Sequence, residues 1–170
     1  CPVVPAAVLF DLTNGGDKAW GETPPYRELG IAACEAAGND FALGNAGAGM
    51  GALAGALKGG LGSASLVDGG FTLGALAAVN PFGSTVMPGI DKLWAAPYSI
   101  ADEFPGGPLP GLDPTFALMS GTKAESFDGT DNAGQNTTLC VIATDARLTS
   151  GQAQRLAIMA ADGVARAIRP

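Results

Sequence analysis

Two apolar runs joined by Asp-Gly-Gly, in the stretch GSASLVDGGFTLGALAAVNPFG from Gly62 to Gly83, constrain the fold more than any other feature of the chain. Consecutive glycines supply the positive φ angles of a tight hairpin turn without steric cost. The pattern predicts antiparallel strands over about Gly62–Val67 and Phe71–Val79, turning at Asp68-Gly69-Gly70.

Other segments read as follows. Pro5 to Leu12, PAAVLFDL, is a short apolar run ending in TNGGD, a strand followed by a turn. After Pro24-Pro25, the residues Tyr26, Leu29, Ala33 and Ala36 or Ala37 recur at helical spacing, with Gly38 where a C-terminal stop belongs. Gly44 to Ser65 is too glycine-dense for an amphipathic pattern and reads as a loop or tight helix start where backbone approaches another group closely. From Ser84 to Gln135 the chain is rich in Pro, Gly, Asp and Thr, and PGGPLPGLDP excludes regular structure there. Thr138 to Ala143 reads as a fully buried strand. Thr149-Ser150-Gly151-Gln152 matches a capping box, and Leu156, Met159, Ala160, Gly163, Val164, Ala167 and Ile168 then form one apolar helix face.

Composition sets limits. A chain of 170 residues, 47% hydrophobic and 15% charged, fits a single domain over 1–170 with a real core. Its net charge of −7 and lack of a Lys/Arg cluster predict neither nucleic acid nor an anionic membrane as partner. The longest uncharged small-residue run, Ala46 to Leu57, is too short and glycine-rich to span a bilayer. Cys1, Cys34 and Cys140, an odd count without a CxxC, argue against a disulfide framework and a zinc site. They are expected as small buried hydrophobes in a reducing, cytoplasmic setting. The chain opens at CPVVPAAVLF without Met and without a secretory leader, which reads as a processed piece or a fragment.

The chain contains no histidine. That excludes Ser-His-Asp and Cys-His arrangements and HExxH zinc chemistry. No metal or other cofactor is expected, and any catalytic base must be an amine, a carboxylate or water.

One junction then draws interest. GQNTTLCVIATD, Gly134 to Asp145, joins a polar run to an apolar strand. Asn136-Thr137-Thr138 is an N-x-T sequon. It is also an ordinary strand start, since threonine suits that position. A third reading is a self-cleaving bond. A threonine hydroxyl held against the preceding carbonyl attacks it, the acyl group shifts from N to O, and water completes the cut. The new chain end carries a hydroxyl and an α-amine that titrates near 7.7–8 in model peptides, so one residue supplies nucleophile and base.

Five segments, VVPAAVLFDL, GNAGAGMGA, KGGLGSAS, AVNPFG and NTTLCVIATDARLT, occur in the order found in DmpA-type peptidases, and the similarity is weakest from Ser84 to Gln135. The chain resembles this family of L-aminopeptidase/D-esterases, β-peptidyl aminopeptidases and nylon-oligomer hydrolases. The resemblance implies an α+β fold, an αββα sandwich of the N-terminal-nucleophile type, truncated here at both ends. It implies self-cleavage between Asn136 and Thr137 into 1–136 and 137–170, with Thr137 as nucleophile and, through its amine, as base. Asn80 of VNPFG matches the family's oxyanion-hole asparagine, although on its own it reads as a turn residue before Pro81. Phe10 falls where some relatives carry a tyrosine near the site, leaving an apolar pocket wall. Lys58 stands as a candidate substrate-binding lysine, or belongs to the KGG motif that follows it. The glycines of GNAGAGMGA are taken as close packing and cleft backbone rather than a phosphate loop. The expected substrate is a small amide or peptide, and the expected state a homo-oligomer. Acyl transfer of the ornithine acetyltransferase type, and a non-catalytic assembly subunit, stand as alternatives.

Overall fold

The computed structural model describes residues 3–100, 103–104, 119–126 and 135–170. Cys1, the whole PGGPLPGLDP segment and residues 127–134 fall outside these. Two helices and two antiparallel sheets make up the described chain, an α+β mixture.

The first helix, α1 (Tyr26–Glu35), follows Pro25 at its N-cap as the proline pair predicts. It ends at Ala36, which stays right-handed, so Gly38 is not used as a left-handed stop. A single 3-10 turn, Gly47–Gly49, leads into a short ribbon of β1 (Leu53–Ala54) and β2 (Leu57–Lys58). The glycine-dense stretch makes close backbone contacts, as expected. A Cβ on Gly59 would strike the carbonyl of Val79, and one on Gly55 the carbonyl of Gly121. At Gly59 it would also lie 2.9 Å from Ala52, closer than side-chain carbons approach.

The predicted hairpin is present and slightly longer than its pattern: β3 (Gly60–Asp68) pairs with β4 (Phe71–Asn80) across Gly69 and Gly70, whose φ angles are 55° and 82°. β5 (Thr137–Thr144) adds antiparallel to the other edge of β4, giving the order β3-β4-β5. Burial rises along β4, from exposed Phe71 to buried Ala78 and Asn80. The small core of Ala52, Ala54, Ala78, Met87 and Trp94 therefore sits at the end of the sheet where β4 stops and β5 starts.

Four expectations need correction or trimming. Pro5–Leu12 forms no strand. An apolar run becomes a strand only against a partner edge, and here the Phe10 carbonyl accepts from the side chain of Asn80 rather than from a ladder. The segment instead crosses the 47–53 loop, where Asn14 Nδ2 donates to the Gly51 carbonyl. β5 is a strand but is not fully buried: Val141 is 63% exposed, and Cys140 and Ala143 are exposed too. Apolar composition predicts the strand but not what covers it. Cys34 and Cys140 are likewise exposed rather than buried, although partial burial still raises the Cys140 thiol above its ordinary pKa. The last helix, α2 (Ser150–Ala167), has its capping box: Gln152 N–H donates to Thr149 Oγ1, and Thr149 N–H donates to Gln152 Oε1 at 2.9 Å. Its half-buried positions are Leu156, Ala160, Val164 and Ala167, whereas Met159 and Gly163 are exposed.

The chain end is tied back to the sheet. Ser84 and Arg169 exchange backbone hydrogen bonds at 2.7 and 3.0 Å, and the Arg169 guanidinium stacks 4.7 Å from the Trp94 ring centre. Among the described residues, no helix is long and apolar enough to cross a membrane.

Candidate active site

Asn80 closes β4, and its position in the register is opposite Thr137, the first residue of β5. Directly opposed residues of an antiparallel pair point to one face, with Cβ atoms about 4.5–5.5 Å apart. The two residues singled out from separate motifs therefore sit side by side. Thr137 is half-buried, and Asn136, immediately before it, is exposed.

The Asn80 side chain is fully buried and fully hydrogen-bonded. Its Oδ1 accepts from the Leu53 backbone N–H at 2.9 Å and from Lys123 Nζ at 3.2 Å. Its Nδ2 donates to the Phe10 carbonyl at 2.8 Å and the Gln135 carbonyl at 3.2 Å. A backbone N–H and an ammonium can only donate, and carbonyls can only accept, so all four partners fix the same amide orientation. The NH2 group is thereby aimed toward the start of β5, where the backbone leads into Asn136 and Thr137.

Each contact has a local cause. Gly59 lets its backbone lie against the Val79 carbonyl, next to Asn80, and the Leu53 N–H reaches Oδ1. Lys123 sits on a short 3-10 turn, Lys123–Ser126, fixed by its own N–H on the Phe82 carbonyl at 3.0 Å. Before it, Thr122 is buried and donates its hydroxyl to the Met119 carbonyl, and the Gly121 carbonyl accepts from Ala56 N–H at 3.1 Å. Partial burial holds the Lys123 amine below the usual lysine pKa.

Phe10 meets the site through its carbonyl, and with Val8, Leu9, Leu12 and Tyr26 it lines a cavity of about 390 Å³. Lys58 is placed differently. Its ammonium donates to the carbonyls of Gly49, Met50 and Ala52, so its three protons serve the 47–52 loop.

Thr138 points to the opposite face by strand alternation. There it borders an open cleft of about 620 Å³ with Asn136, Phe82, Gly83 and Val164 of α2. Its buried Oγ1 has no hydrogen-bond partner. Among the described residues, no three His, Cys, Asp or Glu side chains gather into a metal-holding group.

The sequence did not reveal Leu53, Gln135 or Lys123. They reach Asn80 from 27, 55 and 43 positions away, and two of them act through backbone atoms that leave no residue signature. Lys123 had one available signal: it is the lone basic residue between Lys92 and Arg147.

Asn80 and Thr137 thus stand opposed at one end of the sheet, and comparison with known proteins gives the class. Peptidase family S58 matches residues 1–170, and the chain belongs to that family, the DmpA family of the five motifs. It is 43% identical over 170 residues to a protein from Mycobacterium tuberculosis H37Rv named an uncharacterized aminopeptidase, covering 99% of this chain and 46% of that one. A Mycobacterium leprae protein of the same description is 39% identical over 181 residues, covering 99% and 45%. The chain thus spans about half the length of the curated relatives it matches.

Proposed function

We propose that this chain carries the self-processing and nucleophilic centre of an amide hydrolase acting as a peptidase, with Thr137 as nucleophile. In this reading the Thr137 hydroxyl attacks the Asn136 carbonyl carbon and forms a C–O bond. The C–N bond breaks, and the nitrogen leaves as the α-amine of Thr137. Water then hydrolyses the ester, leaving 1–136 with a carboxylate and 137–170 with a free amine. That amine accepts the hydroxyl proton when a substrate amide is attacked and returns a proton to the departing amine.

Asn80 supplies the neutral donor for the oxygen that becomes negative in the tetrahedral intermediate. The amide orientation is fixed by its partners, and the N–H now on the Gln135 carbonyl, the longer of the two bonds, is the one that passes to the oxygen as charge develops. The observation that carries the reading is the pairing of Asn80 with Thr137, together with Asn80 Nδ2 donating to the Gln135 carbonyl, one residue before the carbonyl to be attacked.

The family and the aminopeptidase names of the relatives support small amides and peptide N-terminal residues as substrates. In this reading the complete architecture is an αββα sandwich of the N-terminal-nucleophile type, the two cleavage pieces stay together, and copies assemble into a homo-oligomer. The test is intact mass after purification. Wild type should resolve into two pieces divided after Asn136, whereas Thr137→Ala should remain one chain and hydrolyse nothing. A Thr137→Ala protein that still splits at this bond would refute the assignment.

A further inference from the structure

We propose that Lys123 is a positioning residue for the Asn80 amide: its ammonium anchors Oδ1 and, by drawing electron density from the carboxamide, strengthens Nδ2 as an oxyanion donor. This deepens the reading of Asn80 given above and rests on it.

The geometry carries the inference. Lys123 Nζ lies 3.2 Å from Asn80 Oδ1, and Asn80 is completely buried. An amide is a conjugated unit, so a charge-assisted bond at its oxygen makes its N–H groups more acidic and better donors. The Leu53 N–H on the same oxygen acts in the same direction but brings no charge. The lysine is not held there by chance of side-chain length alone. Its backbone is fixed on the Phe82 carbonyl, two residues beyond Asn80, and the preceding Thr122 is 1% exposed. The turn that carries Lys123 and the strand end that carries Asn80 are therefore locked together, and the ammonium follows. The amine is partly withdrawn from solvent, which lowers its pKa, and it is the hydrogen bond to Oδ1 that places it at Asn80. Lys58, the other lysine near this end of the sheet, donates to loop carbonyls and shares no hydrogen bond with Asn80.

The experiment uses Lys123→Met, similar in length but uncharged, and Lys123→Arg, which keeps the cation. The first readout is the side-chain NH2 resonance of Asn80 in a ¹⁵N-labelled protein at neutral pH. Lys123→Met should move it upfield, and Lys123→Arg should bring it back toward the wild-type position. The second is kinetic. Lys123→Met should slow self-cleavage and lower kcat by about tenfold with KM unchanged, less than the hundredfold or more typical for loss of an oxyanion donor. In an Asn80→Ala background the same substitution should cost nothing further, because its effect passes through Asn80.

An unmoved Asn80 resonance in Lys123→Met overturns the inference. So does a lower melting temperature with unchanged kcat, which would make Lys123 a packing residue only. If Lys123→Met does not fold, Lys123→Gln, which keeps a donor without the charge, reads the same resonance. A wild-type chain that never splits would sink the Thr137 reading, while the resonance still decides the coupling between Lys123 and Asn80.

Discussion

At Asn80 every hydrogen-bonding valence of the side chain is used, two accepting and two donating. Such a residue tolerates even its nearest isostere poorly. Asn80→Asp keeps an acceptor for Leu53 and Lys123 but turns the NH2 into an oxygen facing the carbonyls of Phe10 and Gln135. It should lower unfolding stability by about 2–3 kcal/mol in urea titrations, despite the nearby cation, and it should abolish hydrolysis by removing the donor. Asn80→Ala, which leaves the same partners unpaired, should cost a similar amount. Asn80 and Thr137 could be singled out from VNPFG and NTT because short motifs carry residue identity, and the structure sets the two opposite each other. Their neighbours were not. The Leu53 N–H and the Phe10 and Gln135 carbonyls act as backbone groups, and any residue at those positions would offer the same atoms.

At the scale of elements, local chemistry decided what could be read in advance. The hairpin was visible because Gly69 and Gly70 have a backbone conformation that few other residues adopt, and α2 because its first turn satisfies itself. Thr149→Ala removes the acceptor for the Gln152 N–H and should cost about 1 kcal/mol, measured as a lower urea midpoint with an unchanged slope. Elements that depend on a distant partner were misread. Pro5–Leu12 has a strand's composition, but its Phe10 carbonyl is taken by Asn80; β5 has a buried strand's composition, but exposes Val141. In both cases the pattern reports what a segment prefers, and tertiary context decides what it receives. In Gly44–Ser65 the close backbone approach is present, but in place of a loop or helix start the stretch holds a 3-10 turn, two two-residue strands too short for periodicity to detect, and the beginning of β3.

At the scale of the whole molecule, large apolar side chains stay exposed on several elements among the described residues. Val67 is 71% exposed, Val141 63% and Ile158 61%, on β3, β5 and α2 respectively. Apolar surface of this extent is what the homo-oligomer proposed above would cover. Sedimentation velocity should therefore give a coefficient that rises with concentration, and Val141→Lys should lower that rise without changing the melting temperature by more than a few degrees. The register of β5 on β4 has a consequence of its own. Slipping the strand by one residue would set Thr138, chemically identical to Thr137, against Asn80 and turn it to the same face. Scission would then fall one bond later, and the lighter product would be short by a single threonine. If the chain divides itself as proposed, a mass spectrum of that product is a ruler laid along the sheet, reporting to the nearest residue how its strands have annealed.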